Sequence, residues 1–157
     1  MPDALDDPAP TVLVVEDEAL IAMAIDDVLA EAGYRPVWSQ DGTGAEADGA
    51  TAAVVDLRLA GQVDGRDVIR RLRRQRPVLP VAVVTGFSPC APEADLRGLG
   101  GPTVRLHKPF GYDDLAGGVE AVLRVAWSAP DAPVPRRRAG DATVKAEAPM
   151  AELVDAE

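Results

Sequence analysis

From Thr11 onward, short β-branched runs alternate with longer amphipathic stretches. TVLVV (11–15) is a continuous apolar run of the length expected for a buried strand. EDEALIAMAIDDVLAEAG follows it, with Ile21, Ala24, Ile25 and Val28 at helical spacing and Gly33 as a stop. RPVWS (35–39), TAAVV (51–55), LPVAVV (79–84) and TVRLH (103–107) read as four further strands. DGTGAEADGA is too short and Gly-rich to predict a helix, whereas DVIRRLRRQ (67–75) predicts one ended by Pro77. DDLAGGVEAVLRVAW (113–127) predicts the last helix, although Gly117 and Gly118 each weaken it by about 1 kcal/mol. In FSPCAPEADLRGLGGP the prolines and glycines leave room for little more than PEADLRGL as a helix, and the segment reads as a mobile element.

Strand-then-helix repetition over residues 11–127 implies an α/β fold, a parallel sheet with helices on both faces. By analogy, five such strands suggest the flavodoxin-like, doubly wound order 2-1-3-4-5. Residues 1–10 are expected to be a disordered lead-in. Residues 128–157, rich in Ala, Pro and charge, are expected to be a disordered tail in which AELVDAE forms at most a helical turn on binding. No second domain, and so no helix-turn-helix output module, is expected.

Composition narrows the function classes. The chain has 157 residues, 47% of them hydrophobic and 27% charged, which suits one ordinary soluble domain with flanking segments. No apolar run approaches the roughly 18–20 residues that span a bilayer, and the acidic, Pro-containing start is unlike a signal peptide. A cytoplasmic protein is expected. With 26 acidic and 16 basic residues the net charge is −10, which repels DNA and anionic membranes, so neither is an expected partner. The charge serves solubility, or part of it gathers in a cation site. With one His and one Cys a structural zinc site is not expected, and Cys90 is expected to be inert.

In doubly wound sheets ligands bind beyond the carboxyl ends of the strands. Glu16, Asp17 and Glu18 follow the first strand, Asp56 the third, Thr85 the fourth, and His107, Lys108 and Pro109 the fifth. Crowded carboxylates repel, so one takes a proton or a cation settles among them. An all-oxygen ligand set suits a hard ion such as Mg²⁺. An Asp beside that ion can act as a nucleophile and form an aspartyl-phosphate, while a Lys neutralises the transferring oxygens. Singly, each residue has a plainer reading: Asp17 as a helix N-terminal charge, Asp56 as a helix cap, Thr85 as a turn residue, Lys108 as a surface charge. His107 alternates away from Lys108 and reads as a packing residue.

VLVVEDE, VVDLRLAG, VVTGF and LHKPF, in this order and strand context, resemble the receiver domain of two-component response regulators across residues 11–127. The resemblance implies Asp56 as phosphoacceptor, Thr85 as switch hydroxyl and Lys108 as phosphate-binding lysine. For Mg²⁺ it implies Asp17 and Asp56 as ligands, Glu16 acting largely through water, and the backbone carbonyl of Arg58. Pro109 is expected after a cis peptide bond. It further implies a single-domain response regulator that exchanges a phosphoryl group with a histidine kinase or phosphotransfer protein, catalysing only its own phosphorylation and dephosphorylation. Its output would run through protein contacts or by acting as a phosphate sink. Arg105 departs from the pattern by standing where receivers usually carry an aromatic switch. PVAVVTGF and VEDEALIAMAIDDVLAEAGY resemble the branch with a Pro-hydrophobic-Thr-Gly-aromatic signature, many members of which serve HWE or HisKA2-type kinases. The rival readings are a non-phosphorylated pseudo-receiver scaffold and a HAD-like Mg²⁺-dependent phosphatase. The latter wants an Asp-x-Asp pair where this chain has Glu-Asp-Glu.

Overall fold

The central strands are buried on both faces, and side chains that alternate between those faces divide the core into two apolar clusters. The structure, a computed structural model, describes residues 8–126 and 151–154. Its elements in chain order are β1 (Thr11–Val15), α1 (Ala19–Glu31), β2 (Arg35–Ser39), β3 (Ala50–Asp56), α2 (Gly65–Gln75), β4 (Val81–Thr85), β5 (Thr103–His107), α3 (Tyr112–Ala126) and β6 (Ala151–Val154). The sheet runs β2-β1-β3-β4-β5-β6, and its first five strands are parallel in the expected order 2-1-3-4-5. Successive side chains along a strand point to opposite faces. Val12 and Val14, Ala52 and Val54, and Ala82 and Val84 accordingly meet Ile25 and Leu29 of α1 and Leu115, Val119 and Val122 of α3. Their neighbours Leu13 and Val15, Ala53 and Val55, and Val81 and Val83 meet Val68, Ile69 and Leu72 of α2.

The face under α2 is otherwise closed without helices. Between β2 and β3 the chain makes turns, as its glycines suggest, and buries Ala45 and Ala47. Between β4 and β5 only one 3-10 turn forms, Pro92–Ala94. Asp95 then accepts the amide of Arg97 in a local turn at 3.0 Å, and Gly98, Gly100 and Gly101 take positive φ. This segment is less loose than its composition suggests, because Ala94, Leu96 and Leu99 are buried and the two leucines join the core. Arg73 of α2 clamps it from below. Its buried guanidinium donates to the carbonyls of Leu79 (3.0 Å), Leu99 (3.4 Å) and Pro102 (2.6 Å) and to Thr103 Oγ1 (3.0 Å).

Three expectations change. His107 is exposed rather than packed; it shares a strand face with Thr103 and Arg105, where no full helix covers the rim. β4 starts at Val81, because Pro80 has no N–H to give a ladder. Residues 151–154, expected in a disordered tail, form β6 antiparallel to β5. The rest of that tail (128–150 and 155–157), residues 1–7 of the expected lead-in and Trp127 of the last helix lie outside the described residues.

The Arg73 clamp has a measurable consequence. Burial lowers its guanidinium pKa to about 10, so the charge is held by carbonyls against its own desolvation. Arg73→Met strips several buried carbonyls of their donor and is expected to cost about 3 kcal/mol. Urea denaturation checks this; an unchanged midpoint would show that the clamp is dispensable.

Candidate functional site

All four strands that carry candidate residues deliver them to the same rim. Asp56 ends β3 and Thr85 ends β4, while Glu16 and Lys108 immediately follow β1 and β5. The register sets Asp56 beside Val84 and Thr85 beside His107. Backbone bonds then stitch the rim beyond the strands: the Glu16 amide donates to the Ser39 carbonyl (3.2 Å) and the Lys108 amide to the Thr85 carbonyl (2.8 Å). The Lys108–Pro109 peptide is cis, as expected.

The side chains meet at Lys108. Its ammonium donates to Asp56 Oδ2 at 2.8 Å and to Glu16 Oε2 at 2.9 Å. Asp56 and Glu16 are 5% and 1% exposed, so both acids are buried, while the Lys108 side chain keeps 20% of its surface in solvent. The second oxygen of each acid is also engaged, by the Arg58 amide on Asp56 Oδ1 (3.0 Å) and the Glu18 amide on Glu16 Oε1 (3.1 Å). Asp17 is half-buried, and carboxylate oxygens of Glu16, Asp17 and Asp56 lie within 4.8 Å of one another.

Electrostatics follow from this packing. Burial raises the Glu16 carboxyl above its ordinary pKa, against the Lys108 and Glu18 hydrogen bonds, and the neighbouring Asp56 charge raises it further. For Lys108 burial works downward, and the hydrogen bonds to Asp56 and Glu16 outweigh it, leaving the ammonium above its ordinary value. Three carboxylates facing one lysine leave negative charge in excess. With oxygen donors and no imidazole or thiolate, the set fits a hard divalent cation such as Mg²⁺.

Thr85 is fully buried, and its Oγ1 accepts the Phe87 amide at 3.0 Å. A hydroxyl that accepts through one lone pair still has its proton to donate. Arg105 does not turn into the core; its guanidinium donates to the Ala94 carbonyl at 2.7 Å and ties β5 to the β4–β5 segment.

Two residues the sequence reading passed over also shape the site. Gly65 opens α2 directly against β3, and a Cβ there would meet the Asp56 carbonyl oxygen at 2.0 Å. The clue was an N-cap, Asp64, followed by glycine where a helix former is favoured. Trp38 donates its indole N–H to the Glu16 carbonyl at 2.7 Å while remaining 47% exposed. No motif flags it; only the β1–β2 register brings it there.

This arrangement of a doubly wound sheet with three acids, a lysine and a hydroxyl on one rim defines a class, and the comparisons agree with it. The family model described as the response regulator receiver domain matches residues 12–120. The chain belongs to the response regulator receiver domain family, part of two-component signalling. The transcriptional regulatory protein TcrA of Mycobacterium tuberculosis is 38% identical over 118 residues, covering 72% of this chain and 46% of that protein. QseB of Escherichia coli O157:H7 is 34% identical over 118 residues, covering 72% and 52%. The chain thus spans about half the length of the curated relatives it matches. Among solved structures, a CheY-like receiver domain protein from Methanospirillum hungatei aligns with a TM-score of 0.63 at 19% identity, over 75% of this chain and 96% of that one. The receiver domain of the sensor histidine kinase PA1611 from Pseudomonas aeruginosa, described with a magnesium ion coordinated in its active-site cleft, aligns with a TM-score of 0.63 at 24% identity, over 73% and 98%. At these identities the structures speak for the fold. No helix among the described residues is long and apolar enough to cross a membrane.

The raised Glu16 pKa fixes the sign of a pH effect. The fold holds the protonated acid more tightly than the unfolded chain does. That stabilisation is complete below the ordinary value of 4.5 and is lost as pH rises through the raised one. Glu16→Gln keeps the shape and removes the titration. In chelator, the variant is expected to be more stable than the wild type at pH 7, with the difference shrinking toward pH 4. Urea denaturation at both pH values checks it; a gap independent of pH would contradict the assignment.

Proposed function

We propose that this chain accepts a phosphoryl group on Asp56 from a histidine kinase or a histidine phosphotransfer protein. The observation that carries this reading is the bridge from Lys108 to the buried acids Asp56 and Glu16 at the strand rim. The Arg58 amide on Oδ1 and the Lys108 ammonium on Oδ2 hold the Asp56 carboxylate in one orientation. One carboxylate oxygen attacks the phosphorus of a phosphohistidine, the P–N bond breaks, and the imidazole leaves with a proton. Lys108 then transfers its hydrogen bonding to the new phosphoryl oxygens, and the Thr85 hydroxyl donates to another. The chain thereby catalyses only its own phosphorylation and dephosphorylation.

Mg²⁺ would be held by Asp17 and Asp56 and by the Arg58 carbonyl, and it would supply charge neutralisation on the phosphoryl oxygens. Both Glu16 oxygens already have donors, from Lys108 and the Glu18 amide. Asp56 is engaged in the same way, so the secondary, water-mediated part for Glu16 rests on the family resemblance. The docking face for the phosphodonor is the start of α1, where Leu20 and Met23 are 76% and 62% exposed one helical turn apart. Such an apolar stripe suits a partner helix. The Pro-hydrophobic-Thr-Gly-aromatic segment supports a partner of the HWE or HisKA2 type.

Coupling runs through Thr85 rather than through an aromatic rotamer at position 105. When its hydroxyl turns to a phosphoryl group, the hydrogen bond to the Phe87 amide is disturbed, and with it the start of the segment that Arg105 ties to β5. Output passes through protein contacts made by this face, or the chain drains phosphoryl groups from its pathway.

Beryllofluoride, which mimics a phosphoryl group on a carboxylate, tests this with Mg²⁺ present. NMR amide shifts are expected across residues 85–102, absent in Asp56→Asn and mostly lost in Thr85→Ala, but largely kept in Arg105→Ala. Asp17→Ala should weaken Mg²⁺ binding, read by tryptophan fluorescence with Trp127 replaced by Phe so that Trp38 alone reports, by about tenfold or more, a loss of 1.4 kcal/mol or above; Glu16→Gln should weaken it less. A response that survives Asp56→Asn would remove Asp56 from the acceptor role.

A further inference from the structure

Trp38 sits on the edge strand β2, where it is 47% exposed and belongs to neither apolar cluster. Burial therefore does not account for it. Its indole N–H donates to the Glu16 carbonyl at 2.7 Å, just where β1 gives way to the acidic residues. The β1–β2 register ends with Val15 opposite Ser39, and one further bond runs from the Glu16 amide to the Ser39 carbonyl at 3.2 Å. β2 stops at Ser39, so among the described residues no ladder amide reaches the Glu16 carbonyl. The indole supplies the donor instead.

The consequence falls on Asp17. The Glu16 carbonyl and the Asp17 amide belong to one planar peptide, so the indole fixes the peptide that precedes Asp17. The peptide that follows is fixed by Glu16 Oε1, which accepts the Glu18 amide at 3.1 Å. The two soft backbone dihedrals of Asp17 are thus set from both sides. Its side chain depends on that restraint. Glu16 and Asp56 have donors on both carboxylate oxygens, whereas among the described residues Asp17 has none. A carboxylate oxygen of Asp17 nevertheless stands within 4.8 Å of one from each of the other acids, a placement that charge repulsion opposes.

We propose that Trp38 is a positioning residue for the cation: by pinning the Glu16–Asp17 peptide, its indole N–H holds the Asp17 carboxylate beside Asp56 and so raises the affinity for Mg²⁺. The inference rests on the reading of this rim as an Mg²⁺-dependent phosphoacceptor site. It gives β2 a part in the site although that strand carries none of the acids. Outer groups that orient a metal ligand cost roughly 10–100-fold in affinity when removed. The indole acts on the backbone of its ligand rather than on the carboxylate, so a smaller loss is expected.

The test is calorimetric titration of the full chain with Mg²⁺, with Trp127 replaced by Phe throughout. The chain with Trp38 is compared with Trp38→Phe and with Trp38→benzothienylalanine, which keeps the shape of the ring and puts sulfur in place of its N–H. Both replacements are expected to weaken Mg²⁺ binding about three- to tenfold, and the isostere decides the case should Trp38→Phe disturb the fold. In a chain that also carries Asp17→Ala, removing the indole N–H should make no further difference, because its effect passes through that carboxylate. NMR gives a reading without metal: the Trp38 Nε1–H should exchange with solvent slowly for so exposed a ring. Undiminished affinity with the isostere, an equal loss with and without Asp17, or a rapidly exchanging indole N–H would overturn the proposal and leave the Asp56 reading standing. A wild-type chain that binds no Mg²⁺ would remove both.

Discussion

Lys108 stands between two acids that the fold has taken out of water, and the architecture of the rim follows from keeping those three charges together. A carboxylate as buried as Glu16 or Asp56 is costly unless a cation and hydrogen-bond donors meet it. The lysine cannot come from a neighbouring position in sequence. It arrives from the end of β5, across β4 and β3, so the parallel order of the strands is a condition of charge balance at the site. The balance is incomplete, with Asp17 adding a third carboxylate within reach, and the surplus negative charge is what makes the rim receptive to a cation.

The supporting parts are arranged to keep the acids still. The tight start of α2 at Gly65 lets the helix close against the backbone of Asp56, and the amide of Arg58 fixes the carboxylate. The Glu18 amide does the same for Glu16, with the Trp38 indole holding the carbonyl of that residue. On the opposite side of the rim, Thr85 is buried and tied to the first turn of a segment anchored by Leu96, Leu99 and the Arg73 clamp. The Thr85 hydroxyl is thus tied to backbone that is packed yet carries only a 3-10 turn, and Arg105 links that backbone to the sheet edge.

Much of this was legible because the buried parallel strands are nearly continuous apolar runs, and because residues that end such strands must share a rim. Glu16, Asp17, Asp56, Thr85 and Lys108 could all be placed in that way. Composition misled where packing overrode it. The Pro- and Gly-rich segment after Thr85 looked loose, yet its few leucines bury themselves. His107 looked like a packing residue because alternation says which face a side chain takes, not whether anything covers that face. β6 was hidden for a related reason. AELV is too short for a periodic signal, and its strand character comes from the open edge of β5 rather than from its own preference. Gly65 and Trp38 act through close approach across the fold, which no local pattern encodes.

The central claim is that Asp56 is the phosphoacceptor, and chemical trapping addresses it at the level of the single residue. The chain is incubated with Mg²⁺ and acetyl phosphate, reduced with borohydride, which converts an acyl phosphate to the corresponding alcohol, and digested for tandem mass spectrometry. The account predicts homoserine at position 56, dependent on the phosphodonor and absent when Lys108 is replaced by alanine or Mg²⁺ is chelated. Reduction at Asp17 or Glu16 instead, or no reduced acid at all, would contradict it.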